Sequence, residues 1–234
     1  MMQAKNKFKK LIFLIVLTLQ VSAFATQTFT KGWTLFTFNG HYDKFLFYIE
    51  PQLRLVNRTG LFEQFLFNIG GGKEVLPHIQ FWLGNTATNY GLNNDLVTDV
   101  TRGVDSEYRP WQQIIITDNN IFGNFLFRNR LEERHANDKE QWSVRFRERT
   151  YWTIPLTHFQ DIVISDEFFF NVKEAHWITT KTFDQNRAFF GIQQHVTKNF
   201  SFSVSYMNQF INKRNSPEDN NVFVLNFFYN MPYD

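Results

Sequence analysis

The feature that most constrains this chain is alternation of apolar and polar residues, recurring along most of its length in stretches of about ten residues. In 44–55, Phe45, Phe47, Ile49, Leu53 and Leu55 share one face, and Glu50, Gln52 and Arg54 share the other. In 64–70, Phe65, Phe67 and Ile69 oppose Gln64 and Asn68; in 78–84, Ile79, Phe81 and Leu83 oppose His78 and Gln80. Phe125, Phe127 and Leu131 oppose Arg128, Arg130, Glu132 and Arg134 in 124–134. Trp142, Val144, Phe146 and Trp152 oppose Arg145, Arg147 and Arg149 in 142–152. The same holds for Ile164, Phe168 and Phe170 against Ser165, Glu167 and Asn171, and for Ala188, Phe190 and Ile192 against Arg187, Gln193 and His195. Phe202, Val204 and Tyr206 likewise oppose Ser201, Ser203 and Ser205. Stretches 107–117 and 221–230 read as strands whose facing the pattern does not fix, and 33–38 as a shorter strand. Period two throughout predicts an all-β, single-domain antiparallel fold.

Two architectures accept such strands. A soluble sheet or barrel turns its apolar face inward, whereas a transmembrane barrel turns it toward lipid and keeps polar side chains in the lumen. Three details favour the second. The strands match the roughly 10 residues of a tilted membrane span better than the usual soluble length of roughly 5–6. The polar face carries Arg and Gln rather than Lys, which suits an interior of forked, mutually bonded charges. Aromatic residues near strand ends (Trp33, Tyr48, Trp82, Trp111, Trp142, Trp152, Tyr206, Tyr229) predict interfacial girdles. The expectation is an up-and-down barrel of 10–12 strands: ten from residue 44 onward, and eleven with 33–38, although bacterial barrels are ordinarily even-numbered. Short turns at 118–123, 156–161 and 197–199 alternate with polar or longer connections at 85–106, 135–141, 173–184 and 211–220. That alternation predicts short periplasmic turns and long extracellular loops.

Export is predicted by the first 25 residues. Lys5, Lys7, Lys9 and Lys10 precede an apolar run from Leu11 to Val21, and Ala23-Phe24-Ala25 gives a small-x-small cleavage pattern. The apolar run is too short for a helical anchor, which needs about 20 residues. Residues 1–25 are therefore expected to be a cleaved signal peptide, with the barrel domain spanning 26–234 and the outer membrane as its location. The chain holds 24 Lys+Arg against 22 Asp+Glu, but four of the bases lie in the leader, leaving 20 against 22. A nucleic-acid partner, which demands a basic excess, is thereby disfavoured. The absence of cysteine excludes a disulfide scaffold, a thiolate metal site and a cysteine nucleophile.

The segments FLFRNRLEERH (125–135), WSVRFRERTYW (142–152), SDEFFFN (165–171), FDQNRAFFGI (183–192) and SYMNQF (205–210), preceded by RPWQQ (109–113), carry a family resemblance. Their order and spacing resemble a bacterial family catalogued as a domain of unknown function, number twenty-four-ninety. The resemblance covers most of the mature chain and implies an outer-membrane-barrel-like fold; it implies no substrate and no reaction. The chain departs from the terminal aromatic expected of outer-membrane strands, because Tyr229 is followed by Asn-Met-Pro-Tyr-Asp.

Candidate function lies on the polar face. Glu50, Arg54, Arg128, Arg130, Glu132, Arg134, Arg145, Arg147, Arg149, Glu167 and Arg187 are expected to line the lumen as one charge network. The hairpin joining 124–134 to 142–152 sets two arginine rows side by side, so Glu132 and Glu167 are the expected partners. Such a network either braces the barrel or, because arginines outnumber acids, gives a mildly anion-selective lumen for small solutes. The expected partners are accordingly outer-membrane lipid and small anions, with no cofactor. Two alternatives stand beside this non-enzymatic reading: a lipid-modifying hydrolase, and a soluble periplasmic barrel binding an apolar ligand. For the first, His195 and Ser201 flank a tight turn, but no third group orients the base and no Gly-x-Ser-x-Gly elbow exists. The six histidines show no metal-binding spacing. Gly70-Gly71-Gly72-Lys73 lacks the frame of a phosphate-binding loop and reads as a turn.

Overall fold

The computed structural model describes residues 27–56, 61–91, 104–137 and 139–232; the expected signal peptide lies outside them, as does most of the 85–106 connection. Eleven strands follow in chain order: β1 (Gln27–Tyr42), β2 (Phe45–Val56), β3 (Leu61–Leu76), β4 (Ile79–Tyr90), β5 (Ser106–Asn120) and β6 (Gly123–Ala136). After these come β7 (Ser143–Pro155), β8 (Gln160–Lys173), β9 (Thr180–His195), β10 (Phe200–Lys213) and β11 (Glu218–Asn230). Each strand pairs antiparallel with its sequence neighbours, and the sheet closes where β1 pairs with β11 in parallel, Trp33 beside Val224. An odd number of alternating strands can close only through such a parallel pair. The short stretch read at 33–38 is thus the centre of a full strand that seals the barrel.

The closing seam is packed on both sides. Inside it, Trp33, Met207, Val222 and Val224 form a buried apolar cluster against Leu35 and Phe189. Outside it, Phe36 stacks on Phe227 at 5.0 Å between ring centroids, and Phe38 lies 6.5 Å from Tyr229. Cross-strand aromatic pairs of this kind stabilise a sheet by roughly 0.2–1 kcal/mol each. The parallel pair therefore rests on side chains as well as on its slanted hydrogen bonds.

The barrel is apolar outside and polar within. Phe45, Phe190 and Phe223 are 57–61 % exposed on the outer wall, and Phe127 faces the same way. Arg130, Arg145, Glu132 and Glu167 are each at most 4 % exposed inside it. The outer wall carries an exception at mid-height on β7 and β8. Glu148 there accepts a bond from Thr150 (3.0 Å), and Asp166 accepts one from Asn186 (2.5 Å).

Strand lengths of 12–16 residues exceed the expected ten. One barrel end carries only tight connections (43–44, 77–78, 121–122, 156–159, 196–199); the other carries 57–60, 91–105, 137–142, 174–179 and 214–217. Asp43 (φ 53°) and His78 (φ 66°) adopt left-handed conformations in the two-residue turns 43–44 and 77–78. His78 therefore belongs to a turn and not to the polar face of a strand.

Two further sequence expectations are corrected. Gly70-Gly71-Gly72-Lys73 is not a turn but lies inside β3, where Gly70 pairs with Gly84 of β4. A Cβ at Gly70 would stand 2.5 Å from the Trp111 ring, and one at Gly84 would stand 2.1 Å from it. These glycines leave room for an indole to lie flat on the inner wall. The aromatic girdle is corrected as well. Trp142, Trp152, Tyr206 and Tyr229 lie on the outer wall, but Trp33, Tyr48, Trp82 and Trp111 face the lumen. Nearness to a strand end says nothing about face; parity does, and Trp33 shares its parity with Lys31.

Candidate functional site: the charge-lined lumen

The lumen site begins with alternation itself. Every second residue of β6 and β7 points inward, so Arg128 faces Arg149, Arg130 faces Arg147, and Glu132 faces Arg145 across one hairpin. Like charges directly opposite destabilise a sheet, and acids from both sides relieve them here. Glu132 accepts from Arg145 Nε (3.1 Å) and Nη2 (2.6 Å) on one oxygen, and from Arg147 Nη1 on the other. Glu167, from β8, accepts from Arg147 Nε (2.9 Å) and Nη2 (2.6 Å), and from Arg128. Paired, forked contacts of this kind are the strong class of hydrogen bond.

Toward the loop-bearing end a second cluster forms. Glu107 accepts from Arg109 Nε (2.5 Å) and from Arg134 Nε (3.2 Å) and Nη2 (2.7 Å), while the Tyr90 hydroxyl donates to it at 2.9 Å. Above this cluster Tyr90, Val104, Ala136, Ala175, Trp177 and Ile178 pack together as a buried apolar cap. Trp177 Nε1 donates to the Gln141 carbonyl at 3.0 Å, and the Arg134 guanidinium lies 5.1 Å from the Trp177 ring. Further along the same two strands, Arg130 stacks on Trp111 at 4.0 Å and donates to Gln113 (2.8 Å) and to the Tyr48 hydroxyl (3.2 Å). Tyr48 in turn packs on Trp82 and Trp111.

All eleven residues expected in the network face the lumen, but they do not form one continuous chain of ion pairs. Glu50 accepts from Thr37 (3.0 Å), Gln52 (2.6 Å) and Asn68 (3.1 Å), with no cation among its bonded partners. Arg54, Arg149 and Arg187 have no carboxylate within 4.0 Å among the described residues. Arg54 donates to Gln64 (3.1 Å) and Gln52 (2.9 Å) and lies 3.7 Å over the Trp33 ring. Arg187 donates to Gln185 (3.1 Å) and lies 5.0 Å from the same indole. Arg149 donates to Ser165 at 2.8 Å. These three arginines border a cavity of about 390 Å³ that reaches from Arg54 to Tyr151.

Sequence reading missed Lys31, Glu63, Glu107, Arg109 and Asp184. Lys31 pairs with Glu63 at 2.5 Å, and Asp184 takes Arg145 at 3.1 Å. Glu107 and Arg109 sit where both parities are polar or aromatic, so alternation alone cannot assign a face. Asp184 is the extra residue of an irregularity between β8 and β9, where Phe169 pairs with Gln185 and Phe170 with Phe183. No sequence signal marks it.

At the tight-turn end, His195 Nε2 lies 2.7 Å from Asp161 Oδ2, and Ser201 is the cross-strand neighbour of His195. An orienting carboxylate thus stands beside the histidine, a partner the sequence left unidentified. The Ser201 hydroxyl, however, accepts from Gln193 Nε2 at 3.1 Å. Among the described residues no group of three His, Asp or Glu side chains could hold a metal ion, and no helix is long and apolar enough to cross a membrane.

A closed all-β barrel with an apolar outer wall and an ion-paired lumen defines the class of this protein. The chain belongs to the family described as protein of unknown function DUF2490, whose family model matches residues 30–221. No curated protein matches the chain.

Proposed function

We propose that this chain is a non-enzymatic outer-membrane β-barrel whose lumen is braced by its own charges and holds small anions. The membrane part is supported by the inversion of sides. Phenylalanine, isoleucine and leucine crowd the outer wall while guanidinium and carboxylate groups fill the interior. Burying that wall in hydrocarbon removes apolar area from water at about 25 cal/mol per Å². In water it would be an apolar surface far beyond the few hundred Å² typical of soluble monomers.

The anion part is carried by one observation: Arg54, Arg149 and Arg187 border the cavity without a carboxylate partner, so their charge is left for a ligand. Apart from Glu50, which accepts only from neutral groups, the remaining lumen charges pair with one another and, with the cap over the loop-bearing end, favour a brace over a wide channel. Barrels of about 8 strands fill their interior with side chains, and those of 16–18 leave an aqueous channel. Eleven strands with at least ten inward cations among the described residues lie nearer the first case.

The test is a planar-bilayer recording with the refolded protein, paired with equilibrium binding of inorganic phosphate. Low conductance with saturable phosphate binding, weakened in Arg54→Gln and Arg187→Gln, supports the reading. A conductance typical of an open porin, or no phosphate binding, contradicts it. A lipid-hydrolase reading retains one favourable observation, the His195–Asp161 pair beside Ser201. A hydrolase assay comparing native protein with His195→Ala addresses it, and equal background turnover in both removes it.

A further inference from the structure

Burial inside the barrel is graded from end to end. At the loop-bearing end the inward Glu107, Arg134, Glu218 and Asn220 are at most 3 % exposed, beneath the cap built on Trp177. At the tight-turn end Ile115, Leu126, Tyr151 and Phe228 border the same cavity and are only half-buried. Among the described residues the cavity is thus more enclosed above and more accessible below.

Its chemistry is graded too. Deep in the barrel, Arg54 Nε and Trp33 Nε1 are buried donors with no acceptor among the described residues. Buried donors without partners are costly, which marks a place for an acceptor-rich group. Between those donors and the accessible mouth, Ile115, Leu126 and Tyr151 form an apolar arc on three consecutive strands. A pocket with a few convergent polar groups at its base and apolar walls is built for an oriented organic ligand.

Building on the anion reading of the lumen, we propose that this cavity is a pocket for an amphipathic oxyanion. A carboxylate or phosphate head sits between Arg54 and Arg187 beside Trp33, and an apolar body lies along Ile115, Leu126 and Tyr151 toward the tight-turn mouth. The volume of 390 Å³ admits about 13 non-hydrogen atoms at the roughly 30 Å³ that one water occupies. Octanoate, with about 10 non-hydrogen atoms, and octyl phosphate, with about 13, both fit within that count.

Titration calorimetry on the protein in phospholipid nanodiscs, against empty nanodiscs, tests this with octanoate, octyl phosphate, octanol, acetate and inorganic phosphate. The expected result is saturable one-to-one binding of octanoate or octyl phosphate, the tighter of the two identifying the head group. Octanol, acetate and inorganic phosphate should each bind at least tenfold more weakly. Arg54→Gln and Arg187→Gln should each weaken the amphipathic anion about tenfold or more, as loss of a charge-assisted bond implies. Leu126→Asn should weaken octanoate while leaving acetate unchanged. Acetate or phosphate binding as tightly as its octyl counterpart overturns the amphipathic site and leaves the anion compartment standing. Octanol binding as tightly as octanoate overturns the head-group assignment. No binding of any anion removes both readings. Where an arginine variant fails to fold, the native ligand series decides alone.

Discussion

Replacing Glu132 with glutamine should destabilise the barrel by about 3–5 kcal/mol, the range for stripping one partner from a buried ion pair. Glu132 is 1 % exposed, accepts two bonds from Arg145 and one from Arg147, and lies 3.7 Å from Arg130. Glutamine keeps the shape and one acceptor oxygen, so packing is conserved and the loss is electrostatic. Three guanidiniums then share Glu167 and Asp184 as their remaining acids, and the Arg130–Arg147 cross-strand repulsion is no longer offset from one side. Reversible urea unfolding from phospholipid vesicles, followed by tryptophan fluorescence, measures the difference. Glu140→Gln, in an exposed connection, is the control and should stay within about 0.5 kcal/mol. A Glu132→Gln loss below about 1 kcal/mol is what a solvated, screened pair gives. That result would mean that water fills the lumen at mid-height and that the charges do not brace it.

Three further outcomes follow from the same geometry. Phe190→Arg, on the outer wall near the middle of β9, should cost about 2–4 kcal/mol in vesicles; an unfolding midpoint unchanged from native would place that wall in water. Glu148→Leu removes a carboxylate from the same wall and should raise stability in vesicles by about 1 kcal/mol, since acids cost less there than Arg or Lys. A comparable loss instead would show that protein or water covers this patch. Gly84→Ala places a methyl against Trp111 and the Ile69 carbonyl, 2.1 and 2.4 Å away; overpacking of this kind costs about 1–3 kcal/mol, readable in the same unfolding assay together with a shift in tryptophan emission.

Much of the fold is legible in the sequence because one physical rule writes both. A strand with lipid on one side and ions on the other tends to alternate, and Phe125 to Arg134 or Trp142 to Trp152 does so with interruptions at Asn129, Glu133, Glu148 and Thr150. Legibility fails where that rule loosens. At Glu107–Gln113 both faces carry polar or aromatic groups, so the Glu107–Arg109–Arg134 cluster is invisible. At Gly70–Gly72 glycine reads as a turn residue, yet here Gly70 leaves room for Trp111 of β5 and Gly72 for Trp82 of β4, cross-strand causes no local window contains. The eleventh strand is legible as alternation from Trp33 to Phe38, but its parallel pairing is not, because that depends on which edge it meets at closure. The lumen charges are legible as a set and their pairing only in part. Glu132 and Glu167 are evident partners across hairpins, whereas Asp184 enters through an irregularity in pairing. The isolation of Arg54, Arg149 and Arg187 from acids emerges only from the three-dimensional arrangement.

The chain contains no cysteine, so single cysteines can be placed at will, and their surroundings decide which side of the sheet meets hydrocarbon. Phe47→Cys, Phe190→Cys and Val204→Cys on the outer wall, and Ser203→Cys and Ser205→Cys within, would each carry an environment-sensitive dye in vesicles containing brominated lipid. Strong quenching at 47, 190 and 204 with little at 203 and 205 is the expected result. Quenching that is absent from the outer positions, or equal at both sets, would contradict a wall of phenylalanine facing lipid.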